Sequence, residues 1–166
     1  MQRKPCVIPS RARNEQYFPS DITLKKGYSK FVACGAYDGD SIRLLNSLHG
    51  KVEEIICIEA EPATFKRLTS FLGESSSLMA NKVVSLPFAA YSHEAIMKFT
   101  KATGLGSRLS DTGDSLVQCV ALDNVLPNFQ PSFISMDIEG AELHALKGAE
   151  KMIEKSCPDL GICVYH

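Results

Sequence analysis

FVACGAYDGDS (residues 31–41) passes from an apolar run through two glycines into a polar segment that opens a periodic stretch. It reads as a strand, a tight turn and the start of a helix. Gly35 and Gly39 stand four residues apart. Glycines there let backbone N–H groups approach a ligand, and the N-terminus of the following helix favours negative charge. Ala33 lies two residues before the first glycine, where such turns often carry an acid.

Outward from this turn the chain alternates. KFVAC (30–34), EIICIE (54–59) and KVVSLPF (82–88) read as strands. Between them Ile42, Leu45 and Leu48, and then Phe65, Leu68 and Leu72, recur at helical spacing. IMKFT (96–100) and LVQCVAL (116–122) read as two further strands around the polar loop TGLGSRLSDTGDS (103–115), a ligand-facing or mobile segment. SFISMD (132–137) precedes a helix with Leu143, Leu146, Ala149 and Ile153 on one face, and LGICVYH (160–166) is a last strand. Strands alternating with helices imply βαβ units, an α/β fold with a mainly parallel sheet flanked by helices. Residues 1–30, broken by Pro5, Pro9 and Pro19, are expected as an N-terminal arm, and residues 31–166 as one domain. The final apolar strand would leave a bare edge, so pairing with a second copy, or further C-terminal strands beyond this sequence, is expected.

Bulk properties narrow the classes. The 166 residues suffice for one domain with a real core. A net charge of -1 gives no footprint for nucleic acid. Arg3, Lys4, Arg11 and Arg13 make the N-terminus locally basic, which reads as a solvated arm. No apolar run approaches the roughly 20 residues that span a bilayer, and the first residues lack a signal-peptide core. Six cysteines form no CxxC pair, and Cys34, Cys57, Cys119 and Cys163 sit in apolar runs. Reduced, structural thiols and a cytoplasmic location are expected.

In open parallel sheets, ligands bind beyond the carboxyl ends of the strands. Glu59 ends the second strand about 20 residues after the glycine turn, the distance at which an acid accepts hydrogen bonds from ribose hydroxyls. The bland alternative is a tight turn plus a surface acid. Gly35-Ala36-Tyr37-Asp38-Gly39 does not supply the GxGxxG of a dinucleotide site. Its spacing suits S-adenosylmethionine (SAM), which has no pyrophosphate, and disfavours an NAD-dependent oxidoreductase. Asp137, Glu139 and Glu142 surround a helix start; on spacing alone, capping is favoured over chemistry, and one helix turn seldom makes a metal cage. His166, at the end of the last strand, is either incidental or a base or substrate contact. His49, His93 and His144 have no comparable position in the sequence.

Together, QYFPSDI (16–22), FVACGAYDGDS, IEAEPATFKRL (58–68), VALDNVLP (120–127), FISMDIEGAELHALKGAE (133–150) and VYH (164–166) resemble the FkbM family of SAM-dependent methyltransferases. The DIEGAELHALKGA run is the most specific of these. The resemblance implies a Rossmann-like class I methyltransferase fold and methyl transfer to a hydroxyl of a small molecule or sugar. By position it puts Gly35, Ala36, Tyr37, Asp38, Gly39 and Ser41 at the methionine end of SAM, and Glu59 at the ribose with Ala60 and Glu61 alongside. Ala89 and Ala90 would border the adenine, Asp137 and Glu139 the reacting methyl, and His166 the acceptor. Asp137 or His166 could take the hydroxyl proton. Two departures stand out: the family usually has an acid at Ala33, and class I folds usually continue through two more strands. They keep open an alternative to the active enzyme, a SAM-binding or catalytically silent module that acts by interaction.

Overall fold

The computed structural model describes residues 17–100, 108–109 and 113–164. Five strands form one sheet whose pairings are all parallel: β1 (Lys30–Cys34), β2 (Val52–Ile58), β3 (Ala80–Leu86), β8 (Phe133–Met136) and β9 (Asp159–Ile162), in the order β3-β2-β1-β8-β9. The chain therefore winds outward from β1 in one direction and from β8 in the other. The crevice between β1 and β8 is the topological switch point, where such sheets bind ligands. Helices α1 (Asp40–His49) and α2 (Pro62–Met79) join the first three strands. The core strands are buried on both faces, as expected of apolar strands that do not alternate.

The strands expected at 96–100 and 116–122 exist, but outside the parallel sheet. β5 (Ala95–Thr100) and β7 (Ser115–Val120) pair antiparallel in a second sheet, with β4 (Ala89–Ala90) beside β7 and β6 (Arg108–Leu109) beside β5. Most of the loop expected at 103–115 lies outside the described residues.

Two expected helical faces shift. Ile42 and Leu45 are buried on α1, but Leu48 is exposed. A residue six positions on lies about 120° around the helix from the first, so the run of threes rolls out of the buried stripe. The single helix expected after β8 is two: α4 (Glu142–Lys147) and α5 (Glu150–Ser156). Asp123, on the short helix α3 (Leu122–Val125), accepts from Lys151 N (3.0 Å) and Met152 N (2.8 Å), capping α5 from outside. The buried face consists of Ala145, Ala149 and Met152, whereas Leu143 is 65% exposed. Small side chains let the helices press close to the sheet.

The described part of the expected N-terminal arm packs on the domain. Phe18 is buried among Phe31, Phe133 and Tyr28, whose ring centroids lie 5.2–6.4 Å from its own. Arg3, Lys4, Arg11 and Arg13 lie outside the described residues, as does His166. Cys34, Cys57, Cys119 and Cys163 are buried thiols outside any disulfide, and Cys157 is an exposed one. Burial pushes the Cys34 and Cys57 thiols up to about 12. Among the described residues, no helix is long and apolar enough to cross a membrane.

Candidate functional site

The turn after β1 is left-handed at three residues: Gly35 (φ 77°), Tyr37 (φ 49°) and Gly39 (φ 94°). Gly35 N and Ala36 N both donate to Ile58 O, at 2.9 and 3.0 Å, tying the turn to the end of β2. A Cβ on Gly35 would overlap the Asp137 carbonyl oxygen. The turns after β1 and β8 thus touch backbone to backbone, and only glycine permits that approach.

Glu59 joins the turn after β1 to the turn after β2. It is 8% exposed; Oε2 accepts from Tyr37 N at 2.9 Å and Oε1 from Glu61 N at 2.8 Å. Burial pushes its carboxyl above the ordinary range, and these N–H donors pull the other way without cancelling it. Glu61 caps α2, accepting from Thr64 N at 2.6 Å, Ala63 N at 3.3 Å and the Thr64 hydroxyl. Arg67 donates to Thr64 Oγ1 at 2.9 Å and lies over the Tyr37 ring. Asp38 is held by Arg43 through its carbonyl (3.0 Å) and its carboxylate (2.5 Å), while Arg43 also covers Phe71. Ser41 is buried in the first turn of α1, and its N–H donates to Asp40.

At the end of β8 the three expected acids separate by role. Glu142 braces the turn rather than capping the helix: its carboxylate accepts from Ile138 N (2.9 Å) and Gly140 N (3.0 Å), both ahead of α4, whose N-cap position is Ala141. Asp137 instead accepts a 2.7 Å hydrogen bond from the Tyr17 hydroxyl. Glu139 holds a left-handed backbone, φ 56°, a conformation that costs a side-chain-bearing residue about 1–2 kcal/mol. It lines a cleft of about 240 Å³ together with Tyr91, Met97, Leu109 and His144.

The expected residues therefore converge, apart from His166. Ala60 and Ala89 share one apolar cluster with Met97 and Leu109, so the end of β2 meets the second sheet. Ala90 is buried against Ile58 and Leu122. Ala33 is 1% exposed, in register with Cys57 and Ser135, and part of a core cluster with Phe31, Ala36 and Ile42.

Sequence reasoning missed three residues. Tyr17 carried no signal beyond its place in QYFPSDI. His144 stacks on Tyr91 with centroids 4.4 Å apart and planes 19° from parallel, a contact that spacing alone does not reveal. Gly148 makes that contact possible, because a Cβ there would overlap the Tyr91 carbonyl oxygen.

The sequence model of the methyltransferase FkbM domain matches residues 33–164. A crystal structure of methyltransferase FkbM from Methylobacillus flagellatus KT is similar, with a TM-score of 0.75 and 28% identity. The similarity covers 94% of this chain and 38% of that one, so this chain spans well under half of its relative's length. No curated protein matches. A parallel sheet with its turns gathered at the β1/β8 switch, and a family match over most of the described chain, lead to one assignment: the chain belongs to the FkbM methyltransferase family.

Proposed function

We propose that this chain binds SAM across the carboxyl ends of β1 and β2 and transfers its methyl group to a hydroxyl of a small molecule or sugar. The observation that carries the reading is the contact of three strand-end turns, with Gly35 against Asp137 and Glu59 bonded to Tyr37 and Glu61. The charge of the rim fits the cofactor. Glu59, Glu61, Asp137 and Glu139 gather there, Asp38 and Arg43 pair with each other, and Arg67 bonds the Thr64 hydroxyl. Such a rim suits the sulfonium and ammonium of SAM and repels a pyrophosphate.

Bound there, SAM supplies a methyl group already activated on sulfur. Gly35, Ala36, Tyr37, Asp38, Gly39 and Ser41 would hold its methionine end, Glu59 the ribose, with Ala60 and Glu61 alongside, and Ala89 and Ala90 the adenine. Asp137 and Glu139 would orient the acceptor hydroxyl, and Asp137 or His166 would take its proton as the new bond forms. The buried thiols, outside any disulfide, support a reducing, cytoplasmic setting. β9, an edge of the larger sheet, is where the expected pairing with a second copy would form, which sedimentation would test.

A second reading, a silent module acting by interaction, draws support from Ala33, because the place of the usual acid is dry core. Calorimetric titration separates the two. The expected result is SAM binding without NAD binding, weakened at least about tenfold by Glu59→Ala. No SAM binding by the wild type, with binding recovered in Ala33→Asp, would favour the silent module. No binding by either would overturn the methyltransferase reading.

A further inference from the structure

The cleft beside Glu139 belongs to none of the expected cofactor contacts. Its walls come from four places: Tyr91 after β4, Met97 and Leu109 on the second sheet, the turn of Glu139, Gly140 and Ala141, and His144 on α4. Tyr91 and His144 form a ready-made aromatic wall, stacked at 4.4 Å, with His93 edge-on to Tyr91 at 5.4 Å. Gly148 locks that wall in place through its close approach to the Tyr91 backbone. Met97 and Leu109 also pack in the cluster that holds Ala60 and Ala89, so that wall of the cleft is braced by residues at the end of β2.

We infer that this cleft is the acceptor subsite and that it takes one uncharged ring bearing hydroxyl groups; this rests on the methyltransferase reading above. Size sets the single ring. About 240 Å³ falls below the 300–1,000 Å³ of sites for drug-sized ligands. Chemistry sets the class. Aromatic and aliphatic walls bury the C–H face of a ring, and a few polar groups at one side fix its orientation. Glu139 is the one lining residue with a carboxylate, so hydroxyl donors are welcome on that side and a phosphate or carboxylate is repelled. Asp137, the residue proposed to act on a hydroxyl, stands two positions before Glu139 in the turn that forms one wall of the cleft.

The test uses the whole 166-residue chain and NMR of the Met97 methyl and the His144 imidazole. The probes are the methyl glycosides of glucose, galactose and mannose, with glucuronate and glucose 6-phosphate as acidic counterparts. At least one neutral glycoside is expected to shift both signals saturably, with the acidic probes at least about tenfold weaker. Tyr91→Ala should abolish the response and Tyr91→Phe should keep it. The wild-type shifts stand by themselves if the alanine variant does not fold. No saturable shift up to roughly 100 mM, well beyond millimolar affinity, would overturn the inference, as would equal binding of the acidic probes. SAM titration of the same samples separates the two readings. SAM bound with no glycoside response overturns the subsite alone, whereas a response without SAM binding supports a ring site and overturns methyl transfer.

Discussion

The Tyr17 hydroxyl donates to Asp137 Oδ2 at 2.7 Å, joining residues 120 positions apart. The N-terminal segment thereby reaches the turn where chemistry is proposed. Burial pushes the phenol's pKa up, and the hydrogen bond and charge of Asp137, then the charge of Asp40, push it further. A phenol raised in the fold favours the folded state below its ordinary value near 10, and that contribution is lost as pH climbs through the raised value.

Tyr17→Phe removes a hydrogen bond to a charged group and should cost about 1.5–3 kcal/mol, read by urea denaturation at pH 7. In an alkaline absorbance titration, the Tyr17 phenolate should be missing from the step near pH 10 and appear only on unfolding. A wild-type step identical to that of Tyr17→Phe plus one tyrosine would contradict the observed burial.

Ala33→Asp puts a carboxylate into a strand centre that is 1% exposed, with the Ser135 position alongside in register. Without cofactor the variant should lose about 3–5 kcal/mol, the cost of an uncompensated buried charge. SAM should then raise its melting temperature more than that of the wild type, if the acid meets the cofactor. Equal upshifts would mean that the acid does not reach the ligand.

Gly35→Ala combines a left-handed backbone with overlap on the Asp137 carbonyl, which cannot retreat because Asp137 N is tied to Cys34 O at 3.1 Å. A loss of about 3 kcal/mol or more is expected, with SAM binding abolished, by denaturation and calorimetry. A variant of wild-type stability would show that the two turns are not in contact.

Glu59 should print its burial on the pH dependence of stability. Its folded value lies above the ordinary 4.5, so the native state keeps a proton that the unfolded chain has lost. Its contribution is fully present below pH 4.5 and declines as pH rises through the raised value. Glu59→Gln should flatten that decline. At pH 7 it should also cost about 1–2 kcal/mol, because an amide NH₂ would face one of two backbone donors. Denaturation curves from acid to neutral pH check both.

What the sequence disclosed follows from where the information resides. Parallel core strands are continuous apolar runs, so β1, β2, β3 and β8 are visible in the chain itself, and the turn at Gly35 and Gly39 marks its own glycines. Glu59 is legible because its distance from the turn is fixed by one helix. The antiparallel pairing of β5 with β7 is not, since two short strands carry no mark of the sheet they join. Tyr17, Tyr91 and His144 are silent for the same reason: each acquires its role from a neighbour far along the chain. The acids after β8 were ambiguous because capping and chemistry use the same residue types, and only hydrogen-bond geometry separates Glu142 from Asp137.

The register of β1 also bears on how the protein comes to be folded. β1 pairs with β2 nearby in the chain, but its other edge waits for β8, where Lys30 meets Ser132 across 102 residues. Closing so long a loop is paid in chain entropy before any contact rewards it, and parallel pairings of this kind form slowly. During synthesis the glycine turn emerges well before Asp137 and has nothing to rest against until β8 has been made. The segment that reads most clearly in the sequence is therefore among the last to reach its working shape.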